Sequence, residues 1–179
     1  DGGSIPLARS KFHRRTTMLT VSRRILVSAP QDSVQRYLSD LQEIAKYEPK
    51  VDAIDVASTD AGPQACVTGR FLGIPWSGTF RFEMTRDGGY RGVMVDGPLR
   101  RMEYRLLLRP VIGGTLVEHE QAYEIPFLLR PFKPFMTRWL DSTLENGLGF
   151  IKEGAEALNR RLQLQGLEEE GVRLSVLSI

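Results

Sequence analysis

A chain of 179 residues that is 41% apolar and 26% charged holds enough apolar material for one packed domain and is not the composition of a disordered polymer. Its net charge of +2 conceals an asymmetry: residues 1–24 carry +5 and residues 25–179 carry −3, so the body lacks the basic surface that a nucleic-acid-binding domain needs. A single cysteine, Cys66, excludes an intrachain disulfide, argues against a thiolate metal site and points to a reducing, cytoplasmic setting, while no apolar run approaches the roughly 18 residues of a membrane span and no signal-peptide core precedes the fold.

Residues 1–17 show neither helical nor strand periodicity and are expected to form a flexible basic arm. Their Arg- and Ser-containing, acid-poor character also suits an organelle transit sequence, although charge runs of this kind are usually just solvated. The domain proper is expected over residues 18–164, followed by a tail at 165–179.

From Leu19 to Ser28 the chain alternates, with Val21, Arg23, Ile25 and Val27 on one face, and a first strand is predicted. Ala29-Pro30 ends it. Ser28 or Asp32 can then cap a helix in which Val34, Tyr37, Leu38 and Leu41 recur at helical spacing. A second short helix is expected from Leu41 to Tyr47, before Glu48-Pro49 breaks it.

After Pro49 the pattern turns to β. Strands are predicted at 51–58, 64–72, 76–85, 90–96, 101–109 and 115–124, joined by Asp60-Ala-Gly-Pro, Gly73-Ile-Pro, Asp87-Gly-Gly, Asp96-Gly-Pro and Gly113-Gly114. Connections this short imply an antiparallel meander. Trp76, Phe80, Phe82 and Met84 share one face of their strand, and Met102, Tyr104, Leu106 and Leu108 share one face of theirs, so one side of the sheet is covered and the other wet.

The cover is expected to be a helix from Phe132 to Leu164. Leu140, Leu144, Leu148, Ile151, Ala155, Leu158 and Leu162 share one arc of it, opposite Arg138, Asp141, Glu145, Lys152, Glu156 and Gln163. Gly147 and Gly154 flank the apolar stripe, where each costs about 1 kcal/mol against alanine. Either the helix approaches another backbone there or it leaves room for a guest molecule. Beyond it, Arg173-Leu-Ser-Val-Leu-Ser-Ile could add a terminal strand.

The order is therefore α+β: a strand, two small helices, a six-strand meander and one long helix. Ile25-Leu-Val-Ser-Ala-Pro-Gln-Asp-Ser-Val with Leu38-Ser-Asp-Leu is similar to the opening strand, Ala-Pro turn and first helix of the START-like (SRPBCC) helix-grip superfamily. Asp96-Gly-Pro-Leu and Gly113-Gly-Thr-Leu-Val are similar to its later hairpins, and resemble both its coenzyme-Q-binding and its polyketide cyclase/dehydrase branches. The likeness covers residues 20–164. It implies a curved antiparallel sheet of six to seven strands gripping the long helix, with an apolar cavity between them that in family members holds lipids, quinones, sterols, polyketides or hormones. These motifs mark the fold and not a chemistry.

His119 is the one histidine inside the predicted domain and the candidate general base. Val117, His119, Gln121 and Tyr123 share a face of the last strand; were the opposite set inside, Glu118 and Glu120 would be buried unpaired, so the first set is expected to face in. No orienting partner for His119 can be named, and an inward histidine is more often structural than catalytic. Trp76, Phe80, Phe82, Tyr104, Gln121 and Tyr123, with Gly147, Leu148 and Ile151 on the helix, complete the candidate cavity wall, although aromatic rings on a covered face are usually core. Cys66 reads as a small buried or half-buried hydrophobe.

The connection at 127–135 clusters Phe127, Leu128, Leu129, Phe132 and Phe135 with Arg130 and Lys133, a mixture suited to a cavity lid or transient membrane contact. Packing beneath the start of the helix is the preferred alternative. Phosphate loops, dinucleotide fingerprints, nucleophile elbows and metal-binding motifs are absent, Gly147-Leu-Gly149 being helical and one glycine short, so no cofactor and no metal is expected. The leading expectation is binding or transport of a small hydrophobic molecule. The alternatives are an aromatase/cyclase in which His119, Tyr104 or Tyr123 moves protons, and a protein-interaction module.

Overall fold

The computed structural model describes residues 17–41, 44–59, 62–99 and 101–176; of the arm expected at 1–17, residues 1–16 lie outside them and Thr17 belongs to the first strand. Strand β1 (Thr17–Val27) leads into helices α1 (Gln31–Leu38) and α2 (Ile44–Tyr47). Strands β2 (Val51–Thr59), β3 (Gly62–Phe71), β4 (Ile74–Met84), β5 (Tyr90–Asp96), β6 (Met102–Val111) and β7 (Gly114–Ile125) form the meander. A 3-10 turn at Phe127–Phe132 then opens helix α3 (Lys133–Val176).

All seven strands form one antiparallel sheet in the order β1-β7-β6-β5-β4-β3-β2. The first strand in sequence pairs with the last, Leu19 opposite Tyr123 and Val21 opposite Gln121. Register shifts at Val51/Ala53 and at Thr79/Phe80 mark bulges, the usual device for bending a sheet around a core.

β1 is an edge, and α3 covers it. Lys152 Nζ donates to the Leu26 carbonyl at 3.0 Å, Ser28 N donates to Glu156 Oε1 at 2.8 Å, and Arg23 pairs with Asp141. Such exposed pairs add little stability but occupy backbone groups that would otherwise template another strand. The helix buries Leu140, Leu144, Leu148, Ile151 and Ala155, each larger side chain contributing about 1.5–3 kcal/mol, against a core that includes Val34, Leu38, Ile44 and Tyr47 of the small helices.

The two helix glycines sit against those small helices and not against open space. A Cβ on Gly147 would lie 2.6 Å from the Tyr47 carbonyl oxygen, and one on Gly154 would lie 2.3 Å from the Tyr37 ring. Close approach, not room for a guest, offsets their cost. Gly147→Ala is expected to lower stability by about 1–2 kcal/mol in urea unfolding, because a backbone oxygen must move and overpacking outweighs the gain in helix propensity. Gly154→Ala should cost less, since the far end of the Tyr37 ring can swing away. A stabilised Gly147→Ala variant would restore the open-space reading.

Four expectations change. α3 runs to Val176 and not to Leu164, so residues 173–176 are helical and not a terminal strand, and 177–179 lie outside the described residues; Gly166 and Gly171 each cost about 1 kcal/mol and do not stop a helix otherwise rich in strong formers. α1 has Pro30 at its N-cap with no side-chain cap from Ser28 or Asp32, the Ser33 and Val34 amides donating instead to the Pro30 carbonyl. Cys66 is exposed, because β3 turns Ala65 and Val67 inward and Cys66 outward. Met84 is exposed at the end of β4 instead of sharing the cover of Phe80 and Phe82.

Candidate functional site

β7 turns Val117, His119, Gln121 and Tyr123 inward, all 2% exposed or less, as the burial cost of Glu118 and Glu120 required. Their partners come from the other end of the chain. Glu48 and Lys50, on either side of Pro49 between α2 and β2, are 5% and 3% exposed. The turn that brings them in is held by the Val51 amide donating to the Glu48 carbonyl at 2.9 Å and the Arg70 amide donating to the Lys50 carbonyl at 3.0 Å. It needs a glycine opposite: a Cβ on Gly69 would sit 1.9 Å from the Lys50 oxygen.

Lys50 Nζ donates to Gln121 Oε1 at 2.5 Å and to the Tyr123 hydroxyl at 3.2 Å, and lies 2.9 Å from Glu48 Oε1 as an ion pair without hydrogen-bond alignment. Gln121 is held by all its neighbours. Its oxygen also accepts from Tyr123, while Nε2 donates to Glu48 Oε2 at 3.0 Å and to His119 Nε2 at 3.0 Å. This orientation makes His119 Nε2 an acceptor and puts the ring proton on Nδ1, which has no partner among the described residues.

A second chain of hydroxyls adjoins the first. Tyr47 OH lies 2.7 Å from Tyr90 OH, which bonds to Tyr104 OH, and the Tyr104 ring meets His119 edge-on at 4.8 Å between centroids. Burial raises the hydroxyl pKa values of Tyr47, Tyr90 and Tyr104 well above the usual tyrosine range, so they are neutral donors. Burial likewise raises that of Tyr123, against the pull of Lys50. Burial also lowers the Lys50 ammonium, but the Glu48 carboxylate and Tyr123 outweigh it and leave the pKa raised. His119 is pushed from 6.5 to about 4, chiefly by burial, with Lys50 adding to the fall and Glu48 opposing it.

Beside this network lies an apolar cavity of about 200 Å³. It is lined by Lys50 and Tyr123 of that network, by Phe71, Trp76, Met94, Met102, Leu99 and Met136, and by Ile74 and Leu129, which are exposed and mark its mouth. A smaller void of about 40 Å³ adjoins it between Glu48, Lys50, Phe80, Phe82, Tyr104 and Gln121. Lys50, Trp76 and Met102 border both. The Trp76 indole N–H is buried and has no acceptor among the described residues.

Of the candidate wall residues, Trp76, Phe80, Phe82, Tyr104, Gln121 and Tyr123 border one or both spaces. His119 borders neither, its ring standing against Tyr104 and its Nε2 against Gln121. Gly147, Leu148 and Ile151 also lie off both, Gly147 against α2. Glu48 and Lys50 escaped the sequence reading because charged residues are seldom fully buried; the one signal was the inward polar stripe of β7, which had to find partners somewhere. Among the described residues no group of His, Cys, Asp or Glu could hold a metal ion, and no helix is long and apolar enough to cross a membrane.

Residues 18–156 match the family model described as polyketide cyclase / dehydrase and lipid transport. Curated proteins give no match. Among solved structures the chain is similar to a protein from Thermus thermophilus (20% identity, 79% of this chain and 98% of that one, TM-score 0.67). It is also similar to a START superfamily protein from Mycobacterium smegmatis (18%, 78% and 98%, TM-score 0.64) and to the Zhui aromatase/cyclase of Streptomyces sp. R1128 (13%, 81% and 95%, TM-score 0.62). At these identities the likeness is one of fold.

Proposed function

Because the chain belongs to the polyketide cyclase/dehydrase and lipid transport family, we propose that it binds or carries a small hydrophobic molecule, without catalysis, in the cavity between the sheet and the start of α3. The observation that carries this reading is the pairing of an apolar cavity with a polar floor whose charges are spent on each other. Lys50 is charged and therefore no nucleophile, the tyrosines are neutral, and His119, the residue to which an enzyme would give the proton, stands off the cavity wall.

The ligand's chemistry follows from the walls. A volume of about 200 Å³ is six or seven times the ~30 Å³ share of a water molecule, enough for a ring or a short chain segment, with the remainder leaving past Ile74 and Leu129. Trp76 borders the space, but its indole N–H is buried within the wall, so the lining favours a molecule that is apolar where it fills the cavity. Trp76, Phe80, Phe82, Tyr104, Gln121 and Tyr123 are the ligand-facing residues of this reading. A cytoplasmic setting belongs to it too, supported by the lone Cys66.

The test is occupancy. Solvent extraction and native mass spectrometry of the purified chain should reveal a bound hydrophobe, and N-phenyl-1-naphthylamine should bind with enhanced fluorescence. Met94→Trp, which fills the cavity, should weaken the probe at least about tenfold while circular dichroism is unchanged. Equal binding by the filled variant would place the ligand elsewhere.

A further inference from the structure

Around the cavity mouth the surface is more apolar than the core requires. Phe127, Leu128, Phe132 and Phe135 are 74%, 82%, 59% and 61% exposed, and Ile74, which borders the cavity from β4, is 68% exposed. Packing beneath the helix start, the arrangement preferred from sequence, is thus not what these residues do. Leu129 and Met136 of the same segment line the cavity, so ridge and mouth are continuous. Pro126, Pro131 and Pro134 restrict the backbone of the ridge and limit how far its side chains can fold back.

Within the ridge itself the charges are of one sign, with Glu124 bordering the cavity just before it. Between Ile125 and Leu140 the sequence holds Arg130, Lys133 and Arg138 and no acidic residue. Arg130 lies over the Phe127 ring, its guanidinium carbon 5.1 Å from the centroid. Arg9, Lys11, Arg14 and Arg15 precede Thr17, and Thr17 pairs with Ile125 at the root of the same ridge.

We propose that this face docks on a membrane surface bearing anionic lipid, Phe127, Leu128, Phe132 and Phe135 entering the headgroup region while Arg130 and Lys133 meet lipid phosphates. The cavity mouth then opens at the lipid boundary. A second copy of the chain suits the face less well, because a two-fold contact would set Arg130 and Lys133 against each other with no carboxylate in the segment to receive them.

Co-sedimentation of the full chain with phosphatidylcholine vesicles, with and without phosphatidylglycerol, tests this. Binding to the anionic vesicles should exceed binding to the neutral ones at least about tenfold, and Arg130→Ala and Lys133→Ala should each narrow the gap about fivefold. Phe127→Ser/Leu128→Ser, both positions being exposed, should keep the wild-type melting curve and lose at least about tenfold in binding. The cavity-filling Met94→Trp should bind vesicles unchanged, which separates this surface from the ligand reading. Equal binding to both vesicle types or undiminished binding by the serine variant overturns the proposal. So does self-association of the full chain in place of vesicle binding, or vesicle binding that appears only when residues 1–16 are removed.

Discussion

Lys50→Met is expected to destabilise the fold by about 3–5 kcal/mol, because it strands the Glu48 carboxylate, 5% exposed, without its counter-ion. Methionine keeps the length of the side chain and its apolar stem, so packing loss is small and the cost is electrostatic. The Tyr123 hydroxyl loses its donor at the same time, and Gln121 Oε1 loses one of two, keeping Tyr123. For a domain of this size the melting temperature should fall by roughly 10 °C. Removing both charges is the informative comparison. Glu48→Gln/Lys50→Met is expected to return within about 2 kcal/mol of wild type, since a buried ion pair is worth little against its own desolvation and much only when half of it is left behind. Urea unfolding of the two single variants and the double variant closes the cycle. If the double variant loses the sum of the singles, Glu48 and Lys50 do not act as a pair.

The same pair shows where sequence reasoning reaches and where it stops. The meander was readable because turn chemistry at Asp87-Gly-Gly and Gly113-Gly114 leaves hairpins as the short solution, and the two faces of β6 separate cleanly into Met102, Tyr104, Leu106 and Leu108 against the rest. The inward set of β7 was readable from one energetic comparison, the cost of burying Glu118 and Glu120. Glu48 and Lys50 were not, because nothing local distinguishes a buried charge from a solvated one; the difference lies in residues about 70 positions away. Gly147 and Gly154 had the opposite difficulty. A glycine reports that a Cβ is unwanted without saying whether a backbone, a ring or a ligand excludes it, and here it is the Tyr47 carbonyl and the Tyr37 ring. Phe127, Leu128, Phe132 and Phe135 misled through a good general rule, that large apolar side chains near a helix start are buried. Their exposure is visible only in the structure, where the 3-10 turn leaves Phe127, Leu128 and Phe132 uncovered and the first turn of α3 leaves Phe135 so.

Acidification should destabilise the protein from pH 6.5 downward, and His119 is the reason. Folded, its pKa is lowered to about 4 from 6.5, first by burial and further by Lys50, with Glu48 pulling the other way. Geometry agrees: Nε2 accepts from the Gln121 amide at 3.0 Å, so a proton placed there would set two donors face to face. Above pH 6.5 the ring is neutral in both states and costs nothing. Between 6.5 and 4 the unfolded chain takes up a proton that the folded chain refuses, so stability falls as pH falls, at about 1.4 kcal/mol per pH unit and to a total of about 3 kcal/mol. Below 4 both states are protonated and the loss levels off. Glu103, held low by hydrogen bonds from Arg101, and Glu156, held low by Lys152, contribute stability that is lost only from about pH 4.5 downward, so the interval from 6.5 to 5 reports the histidine. There, wild type should lose about 2 kcal/mol in urea unfolding, and His119→Phe, whatever its stability at neutral pH, should lose that slope. A His119→Phe variant that keeps the wild-type slope would show that the folded ring takes up its proton as readily as the unfolded one. Gln121 would then have to turn its oxygen toward the histidine and give up Lys50.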